Sequence, residues 1–99
     1  MPAEGSVLRR FVNGERVTVA RVAFTAGSRV APHRHDNEQF SLVLSGAMEF
    51  AVEGEPVLVR AGEMLHLAPG ELHGAEALED AVVLDFFAPP RADWGAPGA

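Results

Sequence analysis

The chain has 99 residues, a net charge of −6 and no cysteine. This length suits a single domain spanning residues 1–99. The negative net charge argues against nucleic acid and anionic membrane surfaces as partners, because both bind proteins through a basic face. A small acidic ligand stays compatible, because it responds to the local field of its pocket. Without cysteine there are no disulfides or thiolate ligands, which fits the cytoplasmic location that we expect.

Short segments of alternating hydrophobicity, separated by turn residues, predict β-strands along most of the chain. In chain order they cover residues 16–24, 40–44, 48–52, 57–59, 64–67 and 81–87. Residues 75–78 favour a helix but are too few to form one alone. The chain is therefore expected to be an all-β sandwich or barrel. Trp94 is expected to pack on it, and residues 95–99 are expected to fray.

Three of the four histidines are candidate metal ligands. His33 and His35 lie two residues apart, so an extended backbone points both imidazoles to one face. Gln39 falls on the same face and Glu38 on the other, unless a β-bulge shifts the alternation and makes Glu38 the ligand. His73 has to be brought to them by the fold. A histidine pair of this spacing also occurs on ordinary surfaces, so the pair alone indicates a metal site only weakly.

A glycine frame surrounds these histidines and strengthens the metal interpretation. Its first part, residues 27–46, reads glycine, five residues, His-x-His, three residues, Gln39, six residues, glycine. Its second part, residues 62–73, contains Gly62, the pair Pro69-Gly70 and then His73. Over residues 17–94 the chain resembles the cupin family, whose two motifs have this spacing. It departs from the family in having Gln39 where glutamate is usual, and Ala68 and Ala77 where proline and asparagine are common.

The resemblance implies a cupin β-barrel, a jelly-roll-like double-stranded β-helix, that binds one divalent transition metal through His33, His35, Gln39 and His73. These ligands suit zinc, nickel, iron, manganese or copper. An amide in place of a carboxylate removes one negative charge from the ligand set, which favours an anionic ligand on the metal. The fourth histidine, His66, is expected to be packed or hydrogen-bonded on the barrel rather than to line the pocket.

A second group of candidate site residues lies near the C-terminus. Asp85 interrupts the apolar run 82–87, where a charge is costly unless it is paired, hydrated or functional. It shares a strand face with Phe87, and Arg91 follows four residues later. A salt bridge between Asp85 and Arg91 would be a purely structural explanation. The segment 84–94, with its Pro-Pro-Arg and Asp-Trp pairs, resembles the end of the small cupins of the pectin-degradation protein KdgF group, which also use glutamine as the fourth ligand.

That narrower resemblance implies a metal-dependent tautomerase that ketonises unsaturated uronate sugars from pectin or alginate breakdown. Asp85 and Arg91 would be catalytic, with Phe87 and Arg91 binding an acidic sugar. Two alternatives stay open, namely a metal-dependent cupin dioxygenase and a non-enzymatic binding or sensor cupin. A homodimer is expected, because an open barrel of this size leaves an exposed sheet edge.

Overall fold

A computed structural model describes residues 5–94 of the chain, so the expected fraying of residues 95–99 lies outside the described residues. Within that range the backbone forms antiparallel strands and one short 3-10 turn at Ala92–Trp94, with no α-helix. The strands are β1 Val7–Asn13, β2 Thr18–Phe24, β3 Arg29–His33, β4 Glu38–Ser45, β5 Ala47–Val52, β6 Glu55–Arg60, β7 Met64–Leu67, β8 His73–Ala77 and β9 Ala81–Ala88.

The strands form two sheets. One has five strands in the order β1-β2-β9-β4-β7, and the other has four in the order β3-β8-β5-β6. All pairings within both sheets are antiparallel. The all-β, jelly-roll-like prediction is confirmed, although the two sheets are not joined into a closed barrel. No helix within residues 5–94 is long and apolar enough to cross a membrane.

Two segments differ from the sequence prediction. Strand β1 was not predicted, because its two arginines interrupt the apolar alternation of an edge strand that pairs only with β2. The segment that favours a helix, residues 75–78, lies mostly in β8. That strand is held on both sides by β3 and β5, so pairing with its neighbours overrides a weak local preference.

The inward faces of both sheets supply the hydrophobic core. Its buried members are Ala20, Val22, Phe24, Val43, Met48, Phe50, Val59, Ala77, Ala81, Val83 and Phe87. Burying a large apolar side chain stabilises the fold by about 1.5–3 kcal/mol. The turn from β4 to β5 depends on Gly46, whose φ is +79°. A Cβ there would stand 2.1 Å from the carbonyl oxygen of Asp80, which explains the last glycine of the first motif.

Candidate metal centre

The fold brings together the three histidines that the sequence singled out. His33 ends β3 and His73 begins β8, and the two are paired across the strands. His35 follows in the loop before β4. The ring centroids lie 4.5 Å apart for His33 and His73, 4.9 Å for His35 and His73, and 5.5 Å for His33 and His35. One ligand atom from each lies within 4.8 Å of the other two, so the three can surround a single ion.

Backbone carbonyls fix the tautomer of these rings. Nδ1 of His33 donates to Ala31 O at 2.9 Å, and Nδ1 of His73 donates to Glu71 O at 2.9 Å. Nδ1 of His35 donates to Asn37 O at 3.1 Å. Each Nε2 is therefore unprotonated, with its lone pair free for a metal. Nε2 of His73 is buried and has no hydrogen-bond partner within residues 5–94, which is costly unless an ion occupies this space.

Burial lowers the pKa of His35, and the positive charge of Arg91 lowers it further. Burial also lowers the pKa of His73, more than its hydrogen bond to Glu71 O raises it. A lowered pKa keeps both imidazoles neutral at physiological pH, which is the form that binds a metal.

Strand alternation places Gln39 inside the protein and Glu38 outside. Gln39 is buried, with Oε1 at 3.1 Å from Nε2 of His35. Glu38 instead accepts a 2.8 Å hydrogen bond from His66 on the outer face of the sheet. The irregularity in the β4–β9 pairing occurs only between Val43 and Ser45, so no bulge shifts the alternation near Gln39. His66 is hydrogen-bonded rather than pocket-lining, as the sequence predicted.

A chain of hydrogen bonds orients the amide of Gln39. The hydroxyl of Ser41 donates to Oδ1 of Asp85 at 2.5 Å, and Nε2 of Gln39 donates to Oγ of Ser41 at 2.9 Å. The amide oxygen of Gln39 must then face Nε2 of His35, which also offers a lone pair. Two acceptors facing each other repel, and a cation between them turns that repulsion into coordination. The donor set thus fits a transition metal.

Asp85 lies on the inner face of β9, beside Ser41 of β4. Burial raises the pKa of its carboxyl to about 6, although the hydrogen bonds from Ser41 and Gln39 and the charge of Arg91 act in the opposite direction. The alternative of a salt bridge between Asp85 and Arg91 is wrong. Arg91 donates from Nε and Nη2 to the two carboxylate oxygens of Asp93, at 3.0 and 2.8 Å, and this lowers the pKa of Asp93.

A cavity of about 440 Å³ opens between the sheets beside these residues. This volume lies within the roughly 300–1,000 Å³ range of small-molecule sites. Phe87, Arg91 and Trp94 form part of its wall together with Asp85 and three of the four predicted ligands. The rings of Phe87 and Trp94 meet at 5.1 Å, and the guanidinium of Arg91 lies over both of them. Trp94 thus packs on the fold as expected.

Sequence reasoning missed several residues that shape the site. Ser41 links Gln39 to Asp85, and Arg9 reaches the cavity from the unpredicted β1. Thr18 accepts a 2.8 Å hydrogen bond from the backbone N–H of Arg91, and Asn37 donates to Pro89 O at 2.5 Å. Ser41 could have been found, because it lies two residues after Gln39 on the same strand face. The other contacts join residues far apart in sequence.

Comparison with known proteins agrees with this fold. The model of the Cupin_2 family, described as a cupin domain, matches residues 20–87. The chain therefore belongs to the cupin family.

The chain is also similar to the pectin degradation protein KdgF of Dickeya dadantii (strain 3937), with 36% identity over 74% of this chain and 68% of the relative. Among solved structures, KdgF from Halomonas sp. superposes with a TM-score of 0.85 at 32% identity, covering 90% of this chain and 84% of the other. An RmlC-like cupin from Shewanella frigidimarina NCIMB 400 gives a TM-score of 0.85 at 23% identity, over 94% and 89% of the two chains, and shows the shared fold.

Proposed function

We propose that this chain is a metal-dependent tautomerase that ketonises 4,5-unsaturated uronate sugars. The observation that carries the proposal is Asp85, a partly buried carboxyl with a pKa raised to about 6, in the wall of a cavity beside the metal-ligand cluster. A group that titrates near neutral pH can both accept and donate a proton during one turnover. The similarity to two KdgF proteins, one of them named for pectin degradation, supports the substrate class.

Within this proposal His33, His35, Gln39 and His73 hold one divalent ion, which when bound supplies Lewis-acid polarisation of a substrate oxygen. Phe87 packs against the sugar ring. Arg91 is held in place by Asp93 and uses its remaining N–H groups to contact substrate oxygens.

The reaction is an isomerisation that needs only proton movement. Ring opening breaks the bond between C1 and the ring oxygen, while the proton of the C1 hydroxyl moves to that oxygen and leaves an aldehyde and an enol. Ketonisation then removes the enol proton and adds one at C4, which gives the ketone. Asp85 accepts the first proton and returns one, and the hydrogen bond from Ser41 holds its carboxyl in position for both steps.

The test follows the carbon–carbon double bond of the substrate. Metal-loaded protein is mixed with unsaturated uronate made by a lyase, and the loss of ultraviolet absorbance is compared with the uncatalysed rate. We expect a large acceleration that an Asp85→Asn variant loses. Rates equal to the uncatalysed one across several metals would overturn the proposal, and oxygen consumption in the same mixture would instead favour the dioxygenase alternative.

A further inference from the structure

Two neighbouring arginines on β1 point to opposite sides of the five-stranded sheet. Arg9 is paired with Val22 and Arg10 with Arg21 of β2. Val22 belongs to the buried core, so Arg9 lies on the inner face, where it lines the cavity, while Arg10 lies on the outer face. The cavity therefore has a second guanidinium besides that of Arg91.

Arg9 differs from Arg91 in its partners. Its guanidinium carbon lies 3.8 Å from the ring centroid of Trp94 and 5.5 Å from that of Phe11. These rings fix the position of the group without using its N–H donors in hydrogen bonds. No carboxylate within residues 5–94 forms an ion pair with Arg9, whereas Asp93 takes two donors of Arg91. Arg9 is thus the guanidinium that is oriented and still has its donors available.

The charge of the cavity differs from that of the whole chain. The chain has a net charge of −6, yet the described cavity wall has two guanidiniums and one carboxyl, that of Asp85. Asp93 offsets the charge of Arg91, which leaves Arg9 as the guanidinium without an ion-pair partner in the described part of the chain. A metal ion held by the histidines would add further positive charge. A positive pocket in an acidic protein selects small anions, because a bound ligand responds to the nearest charges.

A row of rings connects Arg9 to the metal-ligand cluster. The ring centroids of His35 and Phe87 lie 5.7 Å apart, and those of Phe87 and Trp94 lie 5.1 Å apart. The guanidinium of Arg9 lies over the ring of Trp94. Successive rings meet edge to face, at 71° and 76°, and together form one side of the space between the cluster and Arg9. A sugar lying along this row would have oxygens near the cluster and another substituent near Arg9.

We propose that Arg9 binds the carboxylate of the substrate and thereby makes the pocket prefer uronates to neutral sugars. The inference rests on the proposed function for the class of ligand. Two parallel N–H···O bonds from one guanidinium suit a carboxylate, and the aromatic rings hold the fork in place before the ligand arrives.

The experiment uses metal-loaded protein, with galacturonate and galactose as the charged and neutral probes. Binding is followed through the fluorescence of Trp94, the chain's single tryptophan, and by calorimetry. Arg9→Met is expected to weaken galacturonate binding roughly ten- to hundredfold and to leave galactose binding unchanged. Arg10→Met is the matched control, because it removes the same charge from the next position of β1, on the outer face of the sheet. It should change neither affinity.

Three results would overturn this assignment. The first is equal affinity of the wild type for the two sugars. The second is an equal loss of affinity for both sugars in Arg9→Met, and the third is no loss of galacturonate affinity in that variant.

Turnover of unsaturated uronate separates the two proposals. Catalysis with a KM that Arg9→Met leaves unchanged would reject the role of Arg9 alone. Selective galacturonate binding through Arg9 without catalysis would reject the tautomerase alone.

Discussion

The two faces of the five-stranded sheet differ in an unusual way around β4 and β9. On the inner face three polar side chains, Gln39, Ser41 and Asp85, are joined by hydrogen bonds. On the outer face Phe40 is about half exposed, with Leu42 and Phe86 near it in partly exposed positions. An ordinary sheet buries its apolar face and exposes its polar one. The inner face of β4 and β9 is otherwise apolar, with Val43, Val83 and Phe87 in the core, so the polar group indicates positions that serve chemistry at a cost in stability.

The largest expected effect is on metal content, and it should distinguish the inner histidine His73 from His66 on the outer face. His73→Ala removes a buried ligand, so we expect metal content to fall from one ion per chain to near zero, with loss of activity. His66→Ala removes a histidine from the outer face and should keep the metal. Elemental analysis of both purified variants checks this. Full metal content in His73→Ala would exclude the three-histidine centre.

The next effect compares the inner carboxyl with an outer one. Asp85→Asn should lower kcat roughly 10²- to 10⁴-fold, because the amide cannot exchange the proton. Metal content should stay at the wild-type value. Glu38→Gln, on the outer face of β4, serves as the control and should leave kcat unchanged. Steady-state kinetics on unsaturated uronate gives kcat for both variants. A wild-type kcat in Asp85→Asn would contradict the catalytic role of Asp85.

The stability of the metal-free protein should show the cost of ionising the partly buried carboxyl of Asp85. Folding raises the pKa of Asp85 from 3.8 to about 6, so the folded state binds its proton more tightly than the unfolded state. This stabilisation is full below about pH 4 and is lost as the pH rises through 6. Relative to Asp85→Asn, the wild type should therefore lose roughly 2–3 kcal/mol of unfolding free energy between pH 4 and pH 8.

Urea unfolding of chelator-treated wild type and Asp85→Asn at several pH values measures this difference. Titration of the other groups is common to both proteins and cancels in the comparison. A difference that stays constant over the pH range would show that the carboxyl is solvated in the folded protein, against its burial on the inner face.

A smaller effect is expected at Ser41, which acts on the metal only through Gln39. Ser41→Ala removes one of two acceptors for the Gln39 amide, the other being Asp85, so the amide oxygen is held less firmly toward His35, and metal affinity should fall about 10- to 100-fold. Ser45→Ala, at the exposed end of β4, is the control. Competition with a coloured chelator gives both affinities. Unchanged affinity in Ser41→Ala would show that Gln39 is oriented without this link.

Local sequence predicted much of the inner face, because strand alternation is a short-range property. The two-residue period placed Gln39 with the histidines and Glu38 away from them, and it put Asp85 and Phe87 on one face. The motif spacing predicted the family, which the comparisons confirm. The prediction failed for β1, because charged residues on an edge strand leave little periodic signal. The salt bridge between Asp85 and Arg91, which the sequence left as an alternative, does not form, because Asp93 is the acid that pairs with Arg91.

The sequence by itself thus singled out the candidate metal ligands, Asp85, Phe87 and Arg91, and it indicated the strand faces of those that lie on strands. Only the tertiary structure decided which residues meet across strands. Ser41 and Asp85 are 44 positions apart and touch because β4 pairs with β9. Arg9 reaches Trp94 because β1 closes one edge of the same sheet. The physical reason is that side-chain direction follows from local backbone geometry, whereas sheet order and register depend on how the whole chain buries its apolar surface.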